Sequence, residues 1–514
     1  MDDFRPVPLA EGFARPSEED WRALVERALK GAPFERLVSR SDDGIEIRPL
    51  YTRRDIAIEQ DPSGFPGLSP HLRGAKADER PFALMQRVDH PDPEVARRQA
   101  LADLEGGAHG LVLVIDDGRP IETGGEGVVL GIAPGGGTDT EGRLGELLDG
   151  VRLDLAPVAL EAGAAGSEVA RAFLRLLKKG EQPVERSAGG GVIHDLGFDP
   201  LAETARQGYA QAAAERAVAE ALDFLDIGGG RAAPVRLLRL SGRVWHDAGA
   251  SEAQELAILL ANGVFWLRRL EALGIAPERS AALIGFHLMA DADLTFTIAR
   301  IRVMRALWRR LLSACGVAGV ERHEPHILAE TAPRMFTRYD PWVNILRATI
   351  AVQGAMLGGA RAISVRHHLD ALAPGDDLAR RISRNIAIIC SEESHLRQVI
   401  DIAGGSFAIE TLTRELAGRA WELFRRIEGE GGLDAALSAG SIHETLDAMA
   451  ERRRRLVATR ARPITGVSEF PDLKEELPAG LPADRAALRA EREQERFGLP
   501  DSHGGGKQKV AARP

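Results

Sequence analysis

The apolar positions of this chain fall into two patterns that alternate. Short, mainly apolar runs occur at 110–115, 128–132, 151–155, 235–240, 282–288, 327–329 and 362–365. Between most of them lie stretches with apolar residues three and four apart, at 168–179, 201–224, 252–270, 299–315 and 341–356. Uninterrupted apolar strands are buried on both faces, as in parallel sheets, and the helical stretches supply the crossovers. The pattern predicts an α/β fold. A closed (βα)8 TIM barrel is preferred to an open doubly wound sheet, because no Gly-rich dinucleotide fingerprint follows the first strand.

The two ends read differently. Residues 17–29 open with S-E-E-D and continue with apolar residues at helical spacing, an N-cap and acidic first turn before a helix that Gly31 ends. A short strand is expected at 45–51 and an irregular Gly/Pro-rich connection at 61–70. Residues 1–65 are therefore expected to form an extended N-terminal arm with too little core of its own, suited to subunit pairing. A helix starting at Pro93 stops at Gly106 and Gly107. Residues 412–456 read mostly as helix with a break at 429–432, and 66–470 is expected to be the barrel domain. Beyond that, 471–514 is charged, punctuated by proline and ends in a Gly/Lys tail, which predicts a linker and disorder.

Composition narrows the functional classes. The formal charge is −10 at pH 7, which disfavours nucleic acid as a partner. The four-arginine run at 452–455 is expected to be the solvated face of a helix. Cys315 and Cys390 are the only cysteines, too few for a disulfide framework and without zinc-ligand spacing. The N-terminus carries Asp2, Asp3, Pro6 and Pro8 before any apolar run, unlike a signal or transit peptide, and no apolar stretch approaches the length of a membrane span. A cytoplasmic protein is expected.

Candidate chemistry concentrates at 241–250, S-G-R-V-W-H-D-A-G-A, which joins the apolar run 235–240 to the helix at 252–270. In a βα barrel the C-terminal strand ends carry the catalytic side chains. Weaker candidates are H-E-P-H at 323–326, where proline spoils helical ligand spacing, and His367 with His368, which would face opposite sides of a strand. Glycines 135–137 lack the Lys-Ser/Thr of a phosphate cradle, and Asp116 and Asp117 read as helix caps. None of these is given a role.

Several segments resemble the methylmalonyl-CoA mutases. W-R-A-L-V-E-R-A-L-K-G and I-E-I-R-P-L-Y-T are similar to the family's N-terminal arm. H-D-A-G-A-S-E-A-Q-E-L-A resembles Q-E-A-G-A and its helix start, and D-P-W-V-N-I-L-R-A-T-I resembles D-P-Y-N-N-V-V-R-T-T-I. R-I-S-R-N-I and V-I-D-I-A-G-G-S-F-A-I-E resemble R-I-A-R-N-T and V-I-D-P-W-G-G-S-Y-Y-V-E. The resemblance spans most of 17–470 and implies a barrel that binds an acyl-CoA thioester against adenosylcobalamin. The coenzyme supplies radical chemistry, and the protein must hold the thioester oxygen and exclude solvent.

The same resemblance implies that this chain has lost that site. The Tyr-His pair in the family's S-G-Y-H-M-Q-E-A-G-A falls on Arg243 and Val244. In H-S-Q-T-S-G-W-S-L-T the histidine falls on Leu328, the glutamine on Glu330 and the tryptophan on Arg334, while Thr331 and Thr337 remain. A glutamine after R-I-A-R-N-T falls on Ala387. The cobalt-ligating pattern D-x-H-x-x-G matches Asp501, His503 and Gly506, but only eight residues follow and no strand precedes. No C-terminal cobalamin-binding domain is therefore expected, and no cofactor or metal ligand is assigned on this chain.

The implied role is the small, non-catalytic subunit of a heterodimeric mutase that interconverts methylmalonyl-CoA and succinyl-CoA in propionate metabolism. A catalytic large subunit would bind the adenosylcobalamin and the acyl-CoA. Two alternatives stand beside it: a catalytic large chain of a split acyl-CoA mutase served by a separate cobalamin-binding subunit, and a scaffold or chaperone for another acyl-CoA mutase.

Overall fold

The computed structural model describes residues 12–14, 16–56, 64–74, 82–116, 126–131, 139–179, 192–207, 216, 219, 235–320 and 323–476. Eight parallel strands close into a barrel: β3 (Ala83–Val88), β4 (Gly110–Val114), β5 (Val158–Glu161), β6 (His194–Phe198), β7 (Val235–Ser241), β8 (Ile284–Ala290), β9 (His326–Thr331) and β10 (Ala362–Ser364), with β10 returning to β3. The chain has the TIM-barrel fold its sequence predicts. Ahead of the barrel, β1 (Ser39–Arg40) and β2 (Glu46–Ile47) form a small antiparallel hairpin. Among the described residues there is no second α/β domain.

Side chains alternate between the two barrel faces. Outward-facing residues such as Leu238, Leu240, Phe286, Leu288 and Ile327 join the surrounding helices in one large apolar core. Inward-facing Met85, Val112, Val114, Ala159, Leu328 and Ala362 form a separate apolar layer across the barrel axis. Above that layer, toward the C-terminal strand ends, the interior becomes charged.

Strand positions depart from expectation where the interior is polar. In the described part of 128–132, residues 128–131, Val128 makes an isolated bridge to Ile115 and no strand forms, and 151–155 is irregular with a turn at 153–155. The barrel uses β3, β5 and β6 instead, and two of these carry Gln86, Arg87, His194 and Asp195 within them. Of the helix expected at 201–224, Pro200–Gln207 is observed and most of the remainder lies outside the described residues.

Helices relevant to the site are α1 (Glu18–Leu29), α2 (Pro93–Glu105), α3 (Thr140–Leu147), α4 (Gly166–Lys179), α5 (Pro200–Gln207), α6 (Gly242–Asp247) and α7 (Glu252–Ala272). They continue with α8 (Pro277–Ala282), α9 (Leu294–Ala314), α10 (Val343–Gly358), α11 (Asp377–Ile388), α12 (Phe407–Gly429), α13 (Leu433–Ala439) and α14 (Ser441–Ala458). Ser251 caps α7 in a capping box with Gln254, two reciprocal bonds that fix where the loop after β7 becomes helix.

The hairpin is bound to the barrel, whereas α1 stands off it. Asp42 takes hydrogen bonds from Arg453 Nε (2.6 Å) and Arg462 Nη2 (2.7 Å). Asp43 accepts from Ala253 N at 3.1 Å and from the Ser251 hydroxyl, so an arm carboxylate sits on the N-terminus of α7, where negative charge is favoured. Ile45 and Ile56 are buried. By contrast α1 buries no residue, leaves Leu24 exposed, and packs Trp21 edge-on against Phe34 of the arm itself.

The arginine run is helical but not simply a solvated face. Arg453 is buried and its Nη1 donates to Gly249 O and Ala250 O, both at 2.7 Å, besides its bond to Asp42. It joins three segments distant in sequence: the arm, the loop after β7 and α14. Gly249 makes this approach possible. Its φ is +111°, and a Cβ there would lie 2.7 Å from Ala450 Cβ.

Candidate functional site at the barrel mouth

The stretch 241–250 does sit at the C-terminal mouth of the barrel. β7 ends at Ser241, and α6 begins at once, carrying Arg243 and Val244. Arg243 reaches across the opening: Nη1 lies 2.5 Å from Glu161 Oε1, Nη2 2.5 Å from Glu126 Oε1, and Nε 3.4 Å from Asp247.

Two further arginines continue the lattice. Arg87 at the end of β3 contacts Glu161 (3.0 Å), Asp89 (3.3 Å) and Glu330 (3.4 Å), and also Glu126. Arg366, just past β10, contacts Glu330 (2.5 Å), Asp370 (2.9 Å) and Glu126 (3.3 Å). Each of the three glutamates therefore touches at least two guanidiniums. Glu330, where the resemblance implies a replaced glutamine, is fully buried and lies 3.5 Å from His287 Nε2.

The electrostatics follow from this pairing. Burial works to raise the Glu161 pKa, but the Arg87 and Arg243 guanidiniums outweigh it and hold the carboxyl at about 2. Burial likewise opposes ionisation of Glu330, and Arg366 and Arg87 carry it well below the usual carboxylate range. The arginines are correspondingly held charged against burial by the same carboxylates. These acids are thus neither proton donors nor bases near neutral pH. The N–H groups of Arg243 that face the mouth are spent on carboxylates.

Leu328 belongs to the apolar layer beneath this lattice and is 1% exposed. Val244 lines a mouth cavity of about 680 Å³ together with Glu161, Asp199, Arg239, Trp245 and His287. Asp199 is buried there and burial pushes its carboxyl up to about 6, although Ser241 N (2.8 Å) and Asn262 (3.1 Å) donate to it. Arg334 instead leaves the mouth to donate to His246 O at 2.8 Å, Thr331 Oγ1 accepts from Arg366 N at 2.8 Å, and Thr337 bonds to Asn344. Ala387 is buried on α11, among the outer helices.

The weaker candidates do not assemble. His326 begins β9 and His323 precedes it, while His367 and His368 lie past β10 rather than on it, with His368 stacked on Trp342 at 4.8 Å. Among the described residues no group of three or more His, Cys, Asp or Glu could hold a metal ion. Asp116 is described at the end of β4, but Asp117, 135–137 and 501–506 lie outside the described residues. Both cysteines are free, Cys315 exposed and Cys390 buried. Among the described residues no helix is long and apolar enough to cross a membrane.

Sequence reasoning missed Arg87, Glu126, Glu161 and Arg366. The signal available was Q-R-V at the end of β3 and L-E at the end of β5: a lone charge terminating an apolar run, at the strand end where a barrel gathers function.

The fold and the mouth define a (βα)8 barrel protein whose strand-end charges neutralise one another. A family model described as methylmalonyl-CoA mutase matches residues 40–497. The methylmalonyl-CoA mutase small subunit of Streptomyces virginiae is 38% identical over 519 residues, covering 97% of this chain and 78% of that protein. That of Propionibacterium freudenreichii subsp. shermanii is 32% identical, covering 91% and 71%. The Rhizobium meliloti methylmalonyl-CoA mutase is 27% identical, covering 92% and 66%. The chain belongs to the methylmalonyl-CoA mutase family.

Proposed function

We propose that this chain is the small subunit of an adenosylcobalamin-dependent methylmalonyl-CoA mutase working in the cytoplasm, and that its own barrel supports a catalytic large subunit without turning over substrate. The observation that carries the reading is Arg243. By the resemblance it stands for a tyrosine that would grip the thioester oxygen, and its side chain is committed to Glu126 and Glu161. Leu328 and Val244 supply no polar hydrogen in place of the histidines. The residues present do not fit a thioester held for radical rearrangement, so no step is assigned to adenosylcobalamin or acyl-CoA on this chain. Both are assigned to the partner.

The arm fits pairing in a divided way. The hairpin at 39–47 is fixed to this chain's own α7 and α14, while α1 carries Trp21, Leu24, Val25 and Leu29 with none of them buried. Such an amphipathic helix gains stability when its apolar side is covered. Under this reading 1–65 serves pairing, 66–470 is the barrel domain, and 471–514 is linker and tail. The test is a co-expression of this chain with a large mutase chain. Removing residues 1–30 is expected to abolish co-purification while leaving the unfolding midpoint of the isolated chain unchanged. Undiminished pairing, or methylmalonyl-CoA isomerisation by the isolated chain with adenosylcobalamin, would overturn the proposal.

A further inference from the structure

At the other end of the barrel one guanidinium, that of Arg236, has no hydrogen-bond or ion-pair partner among the described residues. Arg236 of β7 pairs in register with Asp195 of β6, and its side chain runs over Gly285 of β8, where a Cβ would sit 2.9 Å from Arg236 Cδ. Gly285 in turn pairs with His326, the first residue of β9. The glycine leaves the room the arginine occupies. Arg361, whose N–H bonds to Ile327 O just before β10, holds Glu324 at 3.7 Å. One layer up, Arg239 gives Nη2 to Leu160 O at 2.5 Å, while its Nη1 is buried without a hydrogen bond and 4.0 Å from Asp195.

Arg236 makes no hydrogen bond or ion pair with any described residue, and feels only the through-space fields of Asp195, Arg361 and Glu324. Its burial lowers its pKa and Arg361 adds to that. His326 is pushed well below its ordinary value by burial first and then by Arg236, Arg361 and Arg239, so its ring stays neutral; its Nδ1 is buried without a partner. Among the described residues three guanidiniums face two carboxylates, Asp195 and Glu324, and of the three it is the Arg236 side chain that has no hydrogen bond or ion pair. A half-buried guanidinium with no hydrogen-bonded anion is costly, and its planar fork matches an oxyanion in two-point geometry.

We propose that the N-terminal end of this barrel binds a phosphate-sized oxyanion, gripped by Arg236 and supported by Arg361 and the neutral His326. The site is separate from the mouth: on β9, Leu328 of the apolar layer stands between His326 below and Glu330 above. It does not depend on the subunit role proposed above. A free ion and the terminal group of a phosphorylated metabolite present the same oxygens, and the test separates the two.

The test is thermal unfolding of the full chain at fixed ionic strength, titrated with inorganic phosphate or with glycerol phosphate against sodium chloride. A saturable rise in midpoint of about 2 °C is expected. Phosphate alone raising it identifies the free ion, and the ester alone identifies a phosphorylated metabolite. Arg236→Gln should remove the rise while shifting the chloride midpoint little. If that variant does not fold, Arg361→Gln, whose side chain is 29% exposed, should weaken the rise. No rise with either anion, or an undiminished rise in the folded variant, overturns the site.

Discussion

Arg243 Nη1 lies 2.5 Å from Glu161 Oε1, and this contact bridges the loop after β7 to the end of β5 across the barrel mouth. Removing one partner of such a pair strands the other in a place poor in water. Arg243→Ala is expected to destabilise the chain by about 3 kcal/mol, the low end for a broken buried pair because Glu161 is partly exposed. Glu161 retains Arg87, so Glu161→Ala added to Arg243→Ala should cost less than the sum of the two singles. Urea unfolding of the four proteins in the cycle measures both.

Restoring the family's residues should not restore its chemistry. In Arg243→Tyr, Val244→His, Leu328→His the new imidazole at 328 would enter the layer formed by Met85, Val112, Val114, Ala159 and Ala362. A polar ring in that layer, without a partner, costs about 2 kcal/mol or more. Arg87 and Arg366 would still bind Glu330 above it. The triple variant is expected to unfold at lower urea and to show no isomerisation with adenosylcobalamin. Measurable turnover would show that the charged lattice is no obstacle.

His194 gives a pH dependence with a definite sign. Burial drives its pKa down to about 4, and its Nδ1 accepts from Val158 N at 3.1 Å, a bond that only the unprotonated nitrogen can make. Because the folded value lies below the unfolded value of 6.5, the stability this neutral ring contributes is present above pH 6.5. It is lost as pH falls toward 4, by about 3 kcal/mol from a shift of this size. His194→Gln should flatten the unfolding free energy over that interval in a urea series at stepped pH. An unchanged slope would place the acid sensitivity elsewhere, His246 being the next group held near 4.

Much of the fold was legible because five barrel strands present apolar residues to the outer helices and enough inside to read as continuous runs. Two failures share a physical cause. β3 and β6 place Gln86, Arg87, His194 and Asp195 among their buried residues, and polar insertions of that kind break the run that marks a buried strand. Conversely 128–132 and 151–155 are apolar without being barrel strands: Val128 to Leu130 are buried beside the end of β4, and Leu153 packs on the core from a turn. The site was legible only in part for a related reason. The 241–250 stretch marked the mouth, but Glu126, Glu161 and Arg366 are contributed by segments far apart in sequence, and each is an unremarkable charge until the barrel closes.

The arm hairpin should behave as part of the barrel. Asp42 lies between Arg453 and Arg462, and Arg453 is buried at 8% exposure with its remaining donors on Gly249 O and Ala250 O. Asp42→Ala would leave that guanidinium with only the longer 4.0 Å ion-pair contact to Glu252, a loss of about 3 kcal/mol. Asp42→Asn keeps one acceptor oxygen but not the charge, and should cost less. The loss is also spatially defined. Hydrogen exchange is expected to accelerate at 39–56 and along α14 in Asp42→Ala, because one arginine holds both, while β3 and β4, across the barrel from β7, keep wild-type protection. If protection falls uniformly instead, the arm and α14 unfold only with the whole barrel, and the hairpin cannot open separately when α1 engages a partner.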